Sequence, residues 1–232
     1  MSLQPELPRT STYTTAGELS TPQRVLRNTY LLLALTMVPT VVGAIVGMST
    51  AGLIMQHPIM STIIVLVGVI GLQFAIAANR NSGLGVGLLL LMTFILGWWL
   101  GPLLTVALAL RNGPQLVGFA AAGTGIIFFA MAAIATTTRR DFSFMGKFLF
   151  VGMIVLLIAM LANMFLQIPA LALTISALVI VVFSLFLLHD VSRIVNGGET
   201  NYVMATTGVY MSLFNIFANL LQLLMALMGE RD

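Results

Sequence analysis

Seven long apolar stretches, separated by short polar segments, occupy almost the whole chain after residue 29. A hydrocarbon core about 30 Å thick requires about 20 helical residues to cross it, and each stretch is of that size. The predicted spans are residues 30–48, 58–78, 84–110, 115–135, 148–166, 169–188 and 202–228. The sequence therefore predicts an all-α integral membrane protein with seven transmembrane helices that are embedded in the lipid bilayer.

The composition argues against most other classes of protein. Charged residues make up 7% of the 232 residues and hydrophobic residues 59%, whereas a soluble domain carries about 25% charged residues. The net charge of +3 is too small for a nucleic-acid-binding surface, so we expect no nucleic acid partner. Cysteine is absent, which removes disulfides and thiolate chemistry.

No set of residues has the spacing of a catalytic or metal site. His57 and His189 are far apart in the sequence and do not belong to a cluster of acids and histidines. No nucleophile, base and orienting group are brought together by any motif. We therefore expect no catalytic residue, no metal and no cofactor, and we predict that the protein is not an enzyme.

The distribution of the ten Lys and Arg residues predicts the orientation of the spans. If the N-terminus is cytoplasmic, only Arg111 and Arg231 lie outside and the other basic residues lie inside. Lys and Arg accumulate in the cytoplasmic loops of membrane proteins. An odd number of spans then places the C-terminus in the periplasm, if the membrane is a bacterial inner membrane.

The first 23 residues differ in composition from the rest of the chain. They are rich in Ser, Thr and Pro and contain few large apolar side chains, so ordering them would bury too little surface to offset the lost entropy. We interpret residues 1–23 as a flexible cytoplasmic tail and residues 24–232 as a single seven-helix transmembrane domain. The tail is either an ordinary frayed terminus or a handle for a protein partner.

Small residues within two spans predict a close contact between helices. Gly43 and Gly47 in the first span, and Gly97 and Gly101 in the third, have the GxxxG spacing. Helices in lipid associate where small side chains let their backbones approach. We read these positions as packing signals that carry little information about function.

Four polar residues in the seventh span fall on one face of its helix. Ser212, Asn215, Asn219 and Gln222 are three, four and three residues apart, which is the spacing of a single helical stripe. In lipid, unsatisfied amides cost on the order of several kcal/mol each, so we expect the other helices to surround this one. The amides either bond neighbouring helices or line a polar pathway.

Asp190 stands at the end of the sixth predicted span. An acidic side chain at membrane depth is rare and tends to mark an ion or proton pathway. The alternative is a carboxylate at the cytoplasmic end of the helix that pairs with Arg193, three residues later. These residue patterns alone leave both interpretations open.

Several strings are longer than chance would produce. They are LRNTY at 26–30, TTRRDFSF at 137–144, ANMFLQIPAL at 162–171, GGETNY at 197–202 and YMSLFNIF at 210–217. From about residue 24 to the C-terminus the chain resembles the bacterial YccA-type members of the Bax-inhibitor (TMBIM) family of membrane proteins. The resemblance implies a fold in which six helices wrap around a central seventh, in agreement with the polar stripe.

The resemblance also implies two functions of different classes. YccA-type proteins are inner-membrane modulators, partners and substrates of the FtsH-type membrane AAA protease, which performs quality control of membrane proteins. Other branches conduct a pH-sensitive calcium leak, controlled by paired aspartates on helices six and seven. The alternative function for this chain is therefore a calcium or proton leak that uses Asp190. Asp190 matches the first aspartate, but Ser212 stands at the second position and cannot ionise. This difference argues against a two-carboxylate pH switch in this chain. The protease modulator is therefore favoured over the leak.

Overall fold

The computed structural model describes residues 20–138 and 140–230. Within these residues the chain forms eight helices and no strands. The helices are α1 (Thr21–Ser49), α2 (Ala51–Gln56), α3 (Pro58–Ala78), α4 (Gly83–Leu108), α5 (Gly113–Thr138), α6 (Met145–Leu166), α7 (Pro169–Val195) and α8 (Tyr202–Met228). All except the short α2 are long and apolar enough to cross a membrane. The prediction of an all-α membrane protein with seven spans is confirmed.

Proline and asparagine residues set several helix boundaries. Pro58 and Pro169 begin α3 and α7, because proline lacks the N–H that the first turn leaves unpaired. The side chain of Asn201 caps α8 by accepting hydrogen bonds from the backbone N–H groups of Val203 at 3.0 Å and Met204 at 3.1 Å. Its amide also donates to the carbonyl oxygen of Arg80 at 3.0 Å, which ties the start of α8 to the α3–α4 loop.

Helix α1 begins at Thr21, well before the predicted start of the first span at residue 30. Pro22 occupies its first turn, and the Gln23 side chain accepts a hydrogen bond from the backbone N–H of Ser20 at 2.9 Å. These two features start the helix while the sequence is still polar. Residues 21–23, which the composition places in the flexible tail, are thus helical. Residues 1–19 of the predicted tail lie outside the described residues.

Helix α8 lies at the centre of the bundle. It packs against α1, α3, α4, α5 and α7, whereas α6 packs mainly against α7. Tyr210 of α8 is buried, and its hydroxyl lies 2.8 Å from the Oγ1 of Thr40 on α1 and 3.4 Å from the carbonyl oxygen of Thr93 on α4. The central position expected from the polar stripe is confirmed for five of the six other spans, whereas α6 reaches the bundle through α7 instead of packing on α8.

The predicted glycine contact joins α1 to α4. A Cβ atom added to Gly47 would lie 2.1 Å from the carbonyl oxygen of Trp98, and one added to Gly101 would lie 2.1 Å from the carbonyl carbon of Gly47. Gly43 and Gly97 face equally close backbone atoms. The two backbones therefore touch along the GxxxG faces, as the spacing predicts.

Candidate functional site

A cavity of about 300 Å³ lies where α7 ends and α8 begins. Helices α3, α6, α7 and α8 and the α7–α8 loop form its walls. The lining residues are Gln73, Met153, Phe183, Phe186, Asp190, Arg193, Glu199, Met204, Ala205, Thr207, Gly208, Met211 and Ser212. The structure thus brings together Asp190, Arg193 and Ser212, the three residues that the sequence singled out for ion or proton chemistry.

Asp190 lies within α7, because this helix continues past residue 188 to Val195. Its side chain is 20% exposed, and its Oδ1 lies 3.0 Å from the Nδ1 of His189. On the α8 side the carboxylate packs against Gly208, where an added Cβ would lie 2.6 Å from Oδ2. Glycine at this position lets the acid approach the backbone of α8, so Asp190 is held between the two helices.

Arg193 does not pair with Asp190 in this structure, contrary to the helix-end interpretation. Its Nη2 donates instead to the Oε2 of Glu199 at 3.4 Å and to the carbonyl oxygen of Gly198 at 3.3 Å. The reason is the turn after α7: Gly197 adopts a φ of 75°, a conformation that glycine reaches without steric cost. This turn folds Glu199 back against Arg193.

Ser212 is 2% exposed and lies one turn after Gly208 on α8. It is the one member of the polar stripe that lines the cavity. The Asp190 carboxylate therefore faces a serine position, where a second carboxylate would be needed to share its proton. The other carboxylate that lines the cavity, Glu199, pairs with Arg193.

The amides of the stripe bond their own helix. Asn215 Nδ2 donates to the carbonyl oxygen of Met211 at 2.8 Å, and Asn219 Nδ2 donates to that of Asn215 at 2.9 Å, while Gln222 is exposed. Of the two interpretations left open, bonds to neighbouring helices do not account for the donors of these two amides. An asparagine side chain reaches the carbonyl four residues earlier, so its donor is satisfied without a second helix.

One further acidic group, Asp141, lies near His189, in the loop between α5 and α6. Hydrogen bonds from the side chain and backbone of Ser143 lower the pKa of Asp141 in the α5–α6 loop, and the nearby His189 lowers it further. His189 is buried, and its Nε2 faces Gly146 at the start of α6. No group of three or more His, Asp and Glu residues placed to hold a metal ion occurs in the described ranges.

Sequence reasoning missed two contributors to this cavity. Gly208 lies four residues before Ser212, on the same face of α8, so its place on the stripe was a usable signal. Glu199 belongs to the GGETNY string, but its ion pair with Arg193 depends on the turn at Gly197. Spacing along the chain does not reveal such a turn.

The comparisons with known proteins agree with one another. Residues 22–229 match the family described as Inhibitor of apoptosis-promoting Bax1. A protein of Escherichia coli K12 named Modulator of FtsH protease YccA is 42% identical over 206 residues, which cover 89% of this chain and 91% of that protein. A second Escherichia coli strain has a protein named Inner membrane protein YccA with the same identity and coverage. An uncharacterized membrane protein of Vibrio cholerae is 37% identical over 209 residues, covering 90% of this chain and 92% of that protein.

Proposed function

Because the chain belongs to the Bax inhibitor family, described as Inhibitor of apoptosis-promoting Bax1, we propose that it is a modulator of an FtsH-type membrane protease. The observation that carries the proposal is its 42% identity to a protein named Modulator of FtsH protease YccA, over 91% of that protein's length. We further propose that the protein is itself a substrate of this protease.

We propose that the protein acts within the bilayer and has no enzymatic chemistry of its own. The loops between the described helices are short, so a protease would contact mainly the spans and the chain ends. Helix α6 offers an apolar face with exposed side chains, including Phe148, Val151 and Val155. In support of a structural role for the His189–Asp190 pair, the Nε2 of His189 faces Gly146 at the start of α6.

The proposed location is a bacterial inner membrane with the N-terminus in the cytoplasm and the C-terminus in the periplasm. The basic residues support this orientation, and a relative is named an inner membrane protein. A reporter active only in the periplasm should be active when fused after residue 232 and inactive when fused before residue 1. A cytoplasmic reporter should give the opposite pattern. Equal activity of one reporter at both ends would contradict an odd number of spans.

The proposed function is tested by reconstituting the chain with an FtsH-type protease in proteoliposomes. We expect the two proteins to co-purify, and we expect the full chain to slow the degradation of a second membrane substrate by competing for the protease. A seven-helix protein of an unrelated family, added at the same concentration, serves as the control for crowding of the bilayer. Equal slowing by both proteins, or no co-purification, would refute the proposal.

The cavity supports a second candidate, a calcium or proton leak through Asp190. The supporting observation is that Asp190 and Ser212 line the same space between α7 and α8. Asp190→Asn removes the charge and keeps the shape, so a leak through this site should change in flux measurements on the same proteoliposomes. Unchanged flux together with unchanged protease binding would leave Asp190 as a structural carboxylate.

A further inference from the structure

A second crevice, of about 400 Å³, lies between α1 and α5. Its walls are apolar, and Leu213 of α8 lies at its base. The lining residues are Tyr30, Leu33, Ala34, Met37, Phe128, Phe129, Ala132 and Leu213. Its volume is within the range of about 300–1,000 Å³ that small-molecule sites occupy.

The crevice is short enough to lie within one leaflet of a bilayer. From Tyr30 to Met37 the helix rises by about 10 Å, and half of a hydrocarbon core is about 15 Å thick. The Tyr30 and Phe128 rings meet edge to face across the crevice, with their centroids 5.7 Å apart. Tyr30 is the lining residue of α1 nearest the start of that helix, where a tyrosine can place its ring in the apolar region and its hydroxyl toward the interface.

A basic side chain stands directly beyond that end. Arg27 precedes Tyr30 by three residues and Ala34 by seven, so all three lie on one face of α1. Arg27 is exposed, and it forms no ion pair with the residues that the structure describes. Helical side chains point toward the N-terminus of their helix, so its guanidinium is directed away from the apolar core and toward the level of lipid headgroups.

We propose that the α1–α5 crevice binds one anionic phospholipid, with an acyl chain along Leu33, Ala34 and Ala132 and the phosphate at Arg27. Two features together indicate an anionic phospholipid as the occupant. The crevice lies along the membrane-spanning parts of α1 and α5, where acyl chains are the material that fills apolar gaps. Arg27, which has no ion pair within the described residues, complements an anionic headgroup. A zwitterionic lipid supplies the same chain without the net charge.

Native mass spectrometry of the delipidated full chain tests the site. The probes are phosphatidylglycerol and phosphatidylethanolamine with the same acyl chains. We expect the first phosphatidylglycerol molecule to bind more tightly than further phosphatidylglycerol molecules do. It should also bind more tightly than phosphatidylethanolamine. Arg27→Gln should weaken this first binding step about fivefold, the effect of one basic residue near an anionic headgroup. Ala34→Trp, which fills the crevice, should weaken it at least about tenfold, the cost of excluding the chain.

Two matched variants serve as controls. Arg80→Gln removes an exposed Arg from the α3–α4 loop, and Ile64→Trp adds the same bulk to an exposed position of α3. Both should bind phosphatidylglycerol like the unaltered chain, and all four variants should unfold thermally near the same temperature. Equal weakening by Arg27→Gln and Arg80→Gln would overturn the site, because it would indicate diffuse attraction. Unchanged binding by Ala34→Trp, or a protein dimer that this variant abolishes, would overturn the lipid as occupant.

Discussion

Gly101→Ala is expected to lower the free energy of unfolding by about 2–3 kcal/mol, the upper part of the range for overpacked contacts. The added Cβ would lie 2.1 Å from the carbonyl carbon of Gly47 and 2.4 Å from its Cα. These are backbone atoms, which cannot rotate away as a side-chain end would, so α1 and α4 must separate. Separation removes packing along the most extensive helix pair of the bundle.

Thermal and denaturant unfolding in a mild detergent, followed by circular dichroism, measures this loss. The matched control is Gly71→Ala on α3, where an added Cβ meets no atom within 4 Å, and its effect should stay within about 0.5 kcal/mol. Gly47→Ala should act like Gly101→Ala, because its Cβ would lie 2.1 Å from the carbonyl oxygen of Trp98. Similar losses at all three glycines would mean that the α1–α4 contact is not the cause.

Deleting residues 1–19 is expected to lengthen the half-life of the protein in cells several-fold. This prediction rests on the proposed function and on the sequence of the tail, which is poor in large apolar residues. An AAA protease begins by engaging an unstructured end, and the deletion leaves the capped start of α1 at Ser20. The shortened chain should also compete with other substrates for longer.

Pulse-chase measurements in cells with active and inactivated protease check this expectation. A Gly/Ser segment of the same length in place of residues 1–19 is the matched control, and it should restore rapid turnover if the tail acts only as a handle. Identical half-lives for the three chains, in the presence of active protease, would show that degradation begins elsewhere.

The fold was predictable from the sequence because its signals are local. Each span is a continuous apolar run. The polar stripe that includes Ser212 indicates a central position for α8, because exposing amides to lipid is energetically costly. The glycine spacing likewise predicted a close contact, although it did not say that α1 and α4 are the partners. The start of α1 was missed because apolar character begins later than the helix does.

The site was predictable only in part. Asp190 and Ser212 could be singled out because acids and polar stripes are rare in apolar helices. The partner of Arg193 could not, since Glu199 reaches it through a turn in which Gly197 has a φ of 75°. The bonds of Asn215 and Asn219 to their own helix follow from side-chain reach, which helical spacing does not encode.

The position of the glycine contact has a mechanical consequence. A protease that pulls from the N-terminus must extract α1 first, and α1 is the helix whose backbone touches α4. The hydroxyl of Thr40 on α1 also lies 2.8 Å from that of Tyr210, which links α1 to the central helix α8. The greatest resistance would then come at the first step of extraction, and helices held by fewer neighbours would follow. A chain built in this order would occupy the translocating motor for a long time before yielding, so slow extraction alone would delay other substrates.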